Sequence, residues 1–483
     1  MTPLLGFLPD ADPTKPGVIM DCSALIPSTR GMIGAPSAVV PNAVPALASE
    51  ARGAAVTMST TGVRRIFAGT QTKLYELSGS SWTDVSRGGS YTGATDNRWS
   101  LAQFGNATLA TNDVDAMQVS TAGAFADLAG APKARIVIST PNFVIAFNTV
   151  DGTYGDHADR WWCSAFQDHT GWTPSVTTQA TTGRLIGEGG EITAAIKFGQ
   201  QAVAYKARGL FLGSYVGSPV VWQWDQIPGD GGCVGPEAVA DIGSGRLLSV
   251  GEDNIWLYDG TRANAIGVGE IRQWLFDNLS PSFRYRTIVS YDRQANRVWI
   301  HFPGKTSTTG QPDMALVYHI ETKRWGRHDM TIQAAMQYVA QGTTFDTAVG
   351  TYDTPVPSVS YDSQYWLSGG RLASVFDTSN QIVILNGAST SSSFTTGDLG
   401  DDDGATMLKR ARLRFISEPT TSTAYGYTKS GEGKSLVAAS SASLTDSGYD
   451  VRQSARWHRV RFEFTGDFET NGLGVTVVAT GQR

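Results

Sequence analysis

Three stretches carry residues whose types could do chemistry. The run GEGKS over 431–435 ends like a phosphate-binding loop, in which backbone N–H groups cradle phosphate and the lysine reaches its oxygens. That loop needs a glycine five positions before Gly433, where Thr428 stands, and a helix behind it, where the pattern reads strand. The run GDLGDDDG over 397–404 looks like a calcium loop, but Leu399 occupies the position five before Gly404 where an acid would be needed. A solvated acidic turn is the expectation there. The third stretch, GDHADRWW over 155–162, sets Asp156, His157 and Asp159 beside Trp161 and Trp162, the residue types of a glycan site. Glycoside cleavage at a central pore would need separated carboxylates converging on one bond, and no motif marks a pair.

The histidines at 157, 169, 301, 319, 328 and 458 form no HExxH and no metal-like cluster with cysteine. His301 and His319 fall on facing strands of one hairpin, where a hydrogen-bonded sheet histidine is expected rather than a ligand. Cys22, Cys163 and Cys233 are far apart and without a CxxC, so buried free thiols of a reducing compartment are expected. These residues lead us to expect neither an enzyme nor a bound cofactor or metal.

The elements that would position any site are strands. In 290–327, Arg297–Phe302 and 314–320 alternate apolar and polar side chains with a period of two, around a Gly/Pro/Ser/Thr loop. A polar turn follows, then Trp325. The same phrase, a strand with Tyr or Phe, a short turn and then Trp, ends at Trp82, Trp172 and Trp222. Recurrence at roughly 35–55 residues is the mark of propeller blades. The sequence therefore predicts an all-β chain: a β-propeller of about six to seven blades over 53–390, with a pair of β-sandwiches as the alternative fold. One helix is expected near 269–281, where Ile271, Trp274, Leu275 and Leu279 are spaced helically before Pro281.

Residues 1–52 read differently. Eight prolines exclude a long helix and a central strand, giving an extended arm that docks through Leu4, Leu5, Phe7 and Leu8 on its own or another subunit's surface. Residues 391–404 are small, polar and acidic, and read as a linker. Residues 405–483 read as a small C-terminal β domain or the closing strands of the array. Its segments 409–414 and 456–461 alternate arginine with apolar residues, giving strands with one basic face. The chain as a whole has 44 acidic against 38 basic residues and a net charge of −6, which excludes a generally basic nucleic-acid binder and leaves room for a local basic face. No apolar run reaches the ~20 residues of a membrane span, and the start, broken by proline and aspartate, is not a signal peptide.

The phrases GFLPDADPTKPGVIMDCSALIPSTRGMIGAPS, RRIFAGTQTKLYELSGSSWTDVS, VYHIETKRW and RWHRVRFEFTGDFETNGLGVTVVATGQR resemble those of the tail nozzle or tail hub proteins of short-tailed bacteriophages, including the packaged-DNA stabilisation proteins. The resemblance implies a propeller-based structural subunit of the virion tail, made in the host cytoplasm. It implies a homo-oligomeric ring, six copies in that family, below the portal and its adaptor ring. The partners it implies are that adaptor, a tail fibre or tailspike, and viral DNA passing through the ring. It carries over no catalytic residue and assigns no residue to DNA. An acidic or evenly mixed lumen is expected, because a basic one would hold phosphate and slow passage. The basic strands would then face subunit contacts or outer partners. The contrary arrangement has Arg410, Arg412, Arg459 and Arg461 lining the channel and gripping DNA.

Overall fold

The computed structural model describes every residue except 42–43, 95, 188–189, 341–348, 351–354, 357–358, 360–362, 368, 402–403, 432, 447 and 482–483. Its organising unit is the hairpin that the period-two pattern predicts. Arg297–Phe302 pairs antiparallel with Met314–His319, Arg297 opposite His319 and Phe302 opposite Met314, and Trp325 opens the next strand, Arg324–Arg327. Tight turns fix the register of such hairpins. Gly105, at φ 57, takes the left-handed conformation that joins Ser100–Phe104 to Ala107–Thr111 in two residues.

Repetition of this unit gives four-stranded antiparallel sheets. Blade 1 begins at Ala54–Met58, blade 2 at Ser100–Phe104, blade 3 at Lys133–Ser139, blade 4 at Ala194–Phe198 and blade 5 at Val239–Asp241. Another free-standing blade begins at Ala334–Val339 and comes last in the ring. Between blade 5 and this last blade stands the unit Ile288–Asp292, Arg297–Phe302, Met314–His319 and Arg324–Arg327, whose outer strand runs on into a ten-stranded sheet. Seven four-stranded units thus circle one axis, six of them as separate sheets. The first strand of each lies innermost and packs on the first strands of both neighbours, and the ring closes where Ala334–Val339 meets Ala54–Met58. Apolar side chains between neighbouring blades form the core. Ile145, Phe147, Ala204 and Trp222, for example, bury together between blades 3 and 4, each large side chain contributing roughly 1.5–3 kcal/mol.

The N-terminal arm is extended, as its prolines require, and it is woven through the rest of the chain. Gly6–Phe7 lies parallel to Val18–Ser23, which pairs with Ser391–Thr396. Leu25–Pro27 joins the outer strand Arg324–Arg327 to Met32–Gly34, which pairs in turn with Glu469–Gly481. Ser37–Val39 then becomes the outermost strand of the last blade, pairing with Ile382–Gly387. The arm expected to end before the propeller therefore supplies one of its strands. The single α-helix among the described residues, Arg272–Asn278, falls inside its expected span, and two of its free N-terminal N–H groups are capped by the arm. The Asp10 carboxylate accepts from Gln273 N at 2.5 Å and Trp274 N at 3.0 Å.

The C-terminal region is a two-layer β sandwich. The paired strands Ala405–Ser417 and Glu469–Gly481 form one layer. The other centres on Trp457–Thr465, flanked by Ser391–Thr396 and Thr421–Lys429. Leu408, Ala411 and Leu413 of the first layer meet Phe394, Phe462 and Phe464 of the second. The expected linker over 391–404 is thus corrected. Its first part is the buried strand Ser391–Thr396, and Leu399–Gly400 also pairs with Trp457–Thr465. Serine and threonine read as loop because they are small and polar, yet here their backbones pair on both sides, with Val18–Ser23 and Trp457–Thr465.

Candidate functional site

The loops before the innermost strands converge at one end of the propeller axis on a cavity of about 220 Å³. Asp96, Arg98 and Trp99 come from the entry to blade 2, Asp113 from the end of its second strand, Arg135 from blade 3, Glu237 from blade 5 and Tyr285 from the loop before Ile288–Asp292. Two arginines are already engaged. Arg98 Nε donates to Glu237 Oε2 at 2.7 Å, and Arg135 Nη1 donates to Glu191 Oε2 at 3.1 Å. Below them Glu50 lies 3.6 Å from Arg52 and 3.9 Å from Arg286, both arginines being buried.

Asp96 and Asp113 make no side-chain hydrogen bond or ion pair among the described residues. Asp113 is also held at φ 75, a conformation uncommon outside glycine. Burial raises its carboxyl above the usual range, and the carboxylates of Asp156 and Glu191 push the same way against Arg135. Burial and the Asp96 carboxylate likewise raise the Tyr285 phenol. The cavity thus offers carboxylate acceptors and a protonated phenol, chemistry suited to hydroxyl groups.

The residues singled out from sequence are distributed as follows. Trp161 and Trp162 are 4% and 6% exposed and belong to the inter-blade core, so neither ring is open to a sugar. Asp159 is paired with Arg184 at 2.8 Å; only Asp156 of the three reaches the field of the axial cavity. Leu4, Phe7 and Leu8 are buried in the chain's own core, and Leu5 packs half-buried against it. The three cysteines are buried free thiols. After 431–435 comes the strand Val437–Ser443; Glu432 of that run lies outside the described residues.

Two expectations about polar residues need correcting. His301 is not a hydrogen-bonded sheet histidine. It is 1% exposed, neither ring nitrogen has a described protein partner, and the ring stacks on Trp299 at 5.8 Å. The pattern shows which face His301 takes but not what packs there. In the acidic turn, Asp398 is buried rather than solvated, receiving hydrogen bonds from Lys429 Nζ at 3.0 Å and from Arg459. Asp402 and Asp403 lie outside the described residues. No group of His, Cys, Asp and Glu among the described residues could hold a metal.

The basic strands differ from one another. On Trp457–Thr465, Arg459 is tied to Asp398, and Arg461 lies 3.1 Å from Glu463. On Ala405–Ser417, Arg410 donates to the carbonyls of Thr445 and Asp446, while Lys409, Arg412 and Arg414 are exposed and have no side-chain partner among the described residues.

No protein family profile and no curated sequence matches the chain. Solved structures similar to it include YCF48 bound to D1 peptide, at 15% identity over 60% of this chain and 84% of that one, TM-score 0.35. YCF48 from Cyanidioschyzon merolae is 12% identical over 73% and 99%, TM-score 0.36. PorZ of the type-IX secretion system of Porphyromonas gingivalis is 8% identical over 78% and 44%, TM-score 0.35. Likeness at this level carries no functional argument. Among the described residues, no helix is long and apolar enough to cross a membrane.

Proposed function

We propose that the chain is a non-catalytic structural subunit of a short-tailed phage virion, the tail nozzle or hub. In this reading six copies form a ring below the portal adaptor, extend the channel through which DNA leaves, help retain the packaged genome and offer an outer surface to a fibre or spike. The sequence phrases that resemble that group support it. The observation that carries it is the weave of the arm: Leu25–Pro27 and Met32–Gly34 splice a propeller unit and the C-terminal sandwich into one ten-stranded sheet. A channel wall under the pressure of packaged DNA needs two units that do not hinge, and shared strands provide that. Native mass spectrometry of the purified chain, alone and with a portal adaptor ring, tests it. Rings or adaptor-bound complexes are expected; a monomer that ignores the adaptor overturns the reading.

A second reading, a carbohydrate-binding or glycan-cleaving propeller, is favoured by the axial cavity, where Asp96 and Asp113 are acceptors without a side-chain partner among the described residues. It expects saturable binding or turnover of a host surface glycan that Asp113→Asn abolishes.

A further inference from the structure

We infer that the outward face of Ala405–Ser417 is a contact surface for the phosphate backbone of duplex DNA, made by Lys409, Arg412 and Arg414. The identity of the polyanion rests on the tail-channel reading; the surface itself rests on the following geometry. A β-bulge falls between Leu408 and Arg410, because Leu408 pairs with Val477 and Arg410 with Thr476, leaving Lys409 without an opposite residue. The bulge resets the alternation. Thr406 and Leu408 are buried before it and Ala411 and Leu413 after it, so Lys409, Arg412 and Arg414 all reach solvent.

Arg412 and Arg414, two residues apart on one strand, are spaced by about 7 Å, and Lys409 extends the row to about 17 Å. Their surroundings leave them uncovered. The residues opposite Arg410, Arg412 and Arg414 are the small Thr476, Gly474 and Gly472, and the mostly exposed Met1 side chain lies over Gly474. Local neutralisation is slight among the described residues. Ala405–Ser417 contains no acid, and Gln453–Ala455 beside it has none. Of the nearby described carboxylates, Asp450 lies by Arg410 and Arg452, Glu469 pairs with Arg30, and Glu418 follows the end of the strand beyond Arg414.

In a chain with 44 acids, three neighbouring cations without an ion pair among the described residues form a local positive row on an acidic background. A linear polyanion fits such a row by charge complementarity, whereas a compact acidic ligand would need a pocket. This assigns the DNA grip differently from the set Arg410, Arg412, Arg459 and Arg461. Arg459 and Arg461 are engaged by Asp398 and Glu463.

The test is fluorescence anisotropy of the full chain with a labelled duplex of random sequence, measured over a salt series. The strip variant is Lys409→Glu, Arg412→Glu and Arg414→Glu. The control, Lys133→Glu, Lys197→Glu and Lys305→Glu, makes the same charge change at exposed propeller positions. The strip variant is expected to lose at least about tenfold in affinity and to lower the slope of log K against log salt by about 2–3, since each phosphate contact contributes ~0.9. The control is expected to change by less than about threefold. Equal losses in both, no loss in the strip variant, or no binding by the parent chain overturns the inference. If the glutamate variant fails to fold by circular dichroism, the Lys409→Gln, Arg412→Gln and Arg414→Gln chain is read by the same criteria. Native mass measured in parallel separates the two claims. Rings with strip-independent binding remove only the strip, and strip-dependent binding by a chain that never forms rings removes only the channel reading.

Discussion

Asp398 shows how much one buried charge can hold together. Burial pushes its carboxyl up, but hydrogen bonds from Arg459 and Lys429 outweigh that and hold it below the usual carboxylate range. Asp398→Ala would strand two mostly buried cations, so it is expected to cost about 3–5 kcal/mol, read as a lowered midpoint in urea. Because the folded value lies below the unfolded ~3.9, this stabilisation is complete at neutral pH and is lost as pH falls below about 4. His301 acts in a higher window. Burial pushes its ring down to about 3, with His328 adding to the effect. Its contribution is full above the unfolded ~6.5 and declines from there as pH falls, by about 2 kcal/mol at pH 5. Burial lowers His319, His328 and His458 as well. His301→Leu is therefore expected to flatten, not abolish, the loss of stability between pH 7 and 5, and an unchanged profile would contradict the assignment. Neither residue was legible from sequence. A pattern of two tells which face a side chain takes, but Asp398 is engaged by a strand some 60 residues later, and the pattern does not show that His301 stacks on Trp299 with no partner for its nitrogens among the described residues.

At the scale of elements, the arm is where sequence and structure part most instructively. Proline density correctly excluded helix and left extended chain, and apolar Leu4, Phe7 and Leu8 correctly demanded burial. What composition could not convey is pairing, since strand partners hundreds of residues away leave no local mark. Ser37–Val39 completes the last blade, so removal of residues 1–39 is expected to unfold the propeller itself rather than leave it intact. Retention of the full near-ultraviolet tryptophan spectrum after that truncation would show the arm to be dispensable. A milder probe is Asp10→Ala, which uncaps Arg272–Asn278 and should cost about 1 kcal/mol. The repeated hairpin-plus-Trp phrase was the strongest local signal and it gave the propeller. The axial cavity was not foreseen, because its residues come from the loops of several blades and share no spacing. Asp156, flagged from sequence for a different reason, does not line it and acts on Asp113 only through its charge.

At the scale of the whole molecule, the ten-stranded sheet makes propeller and sandwich one mechanical body, and the exposed row Lys409, Arg412 and Arg414 gives an acidic chain one positive face. In the proposed ring both features would be repeated around the axis, since symmetry multiplies each charge. The most direct measurement is cryo-electron microscopy of the purified chain mixed with a portal adaptor ring, with side chains placed in the averaged density. The account expects a closed ring of six copies, coaxial with the adaptor, with Arg412 and Arg414 facing a channel wide enough for duplex DNA. Single unassembled propellers, or a ring whose Arg412 and Arg414 are turned away from the channel and buried between copies, would contradict it.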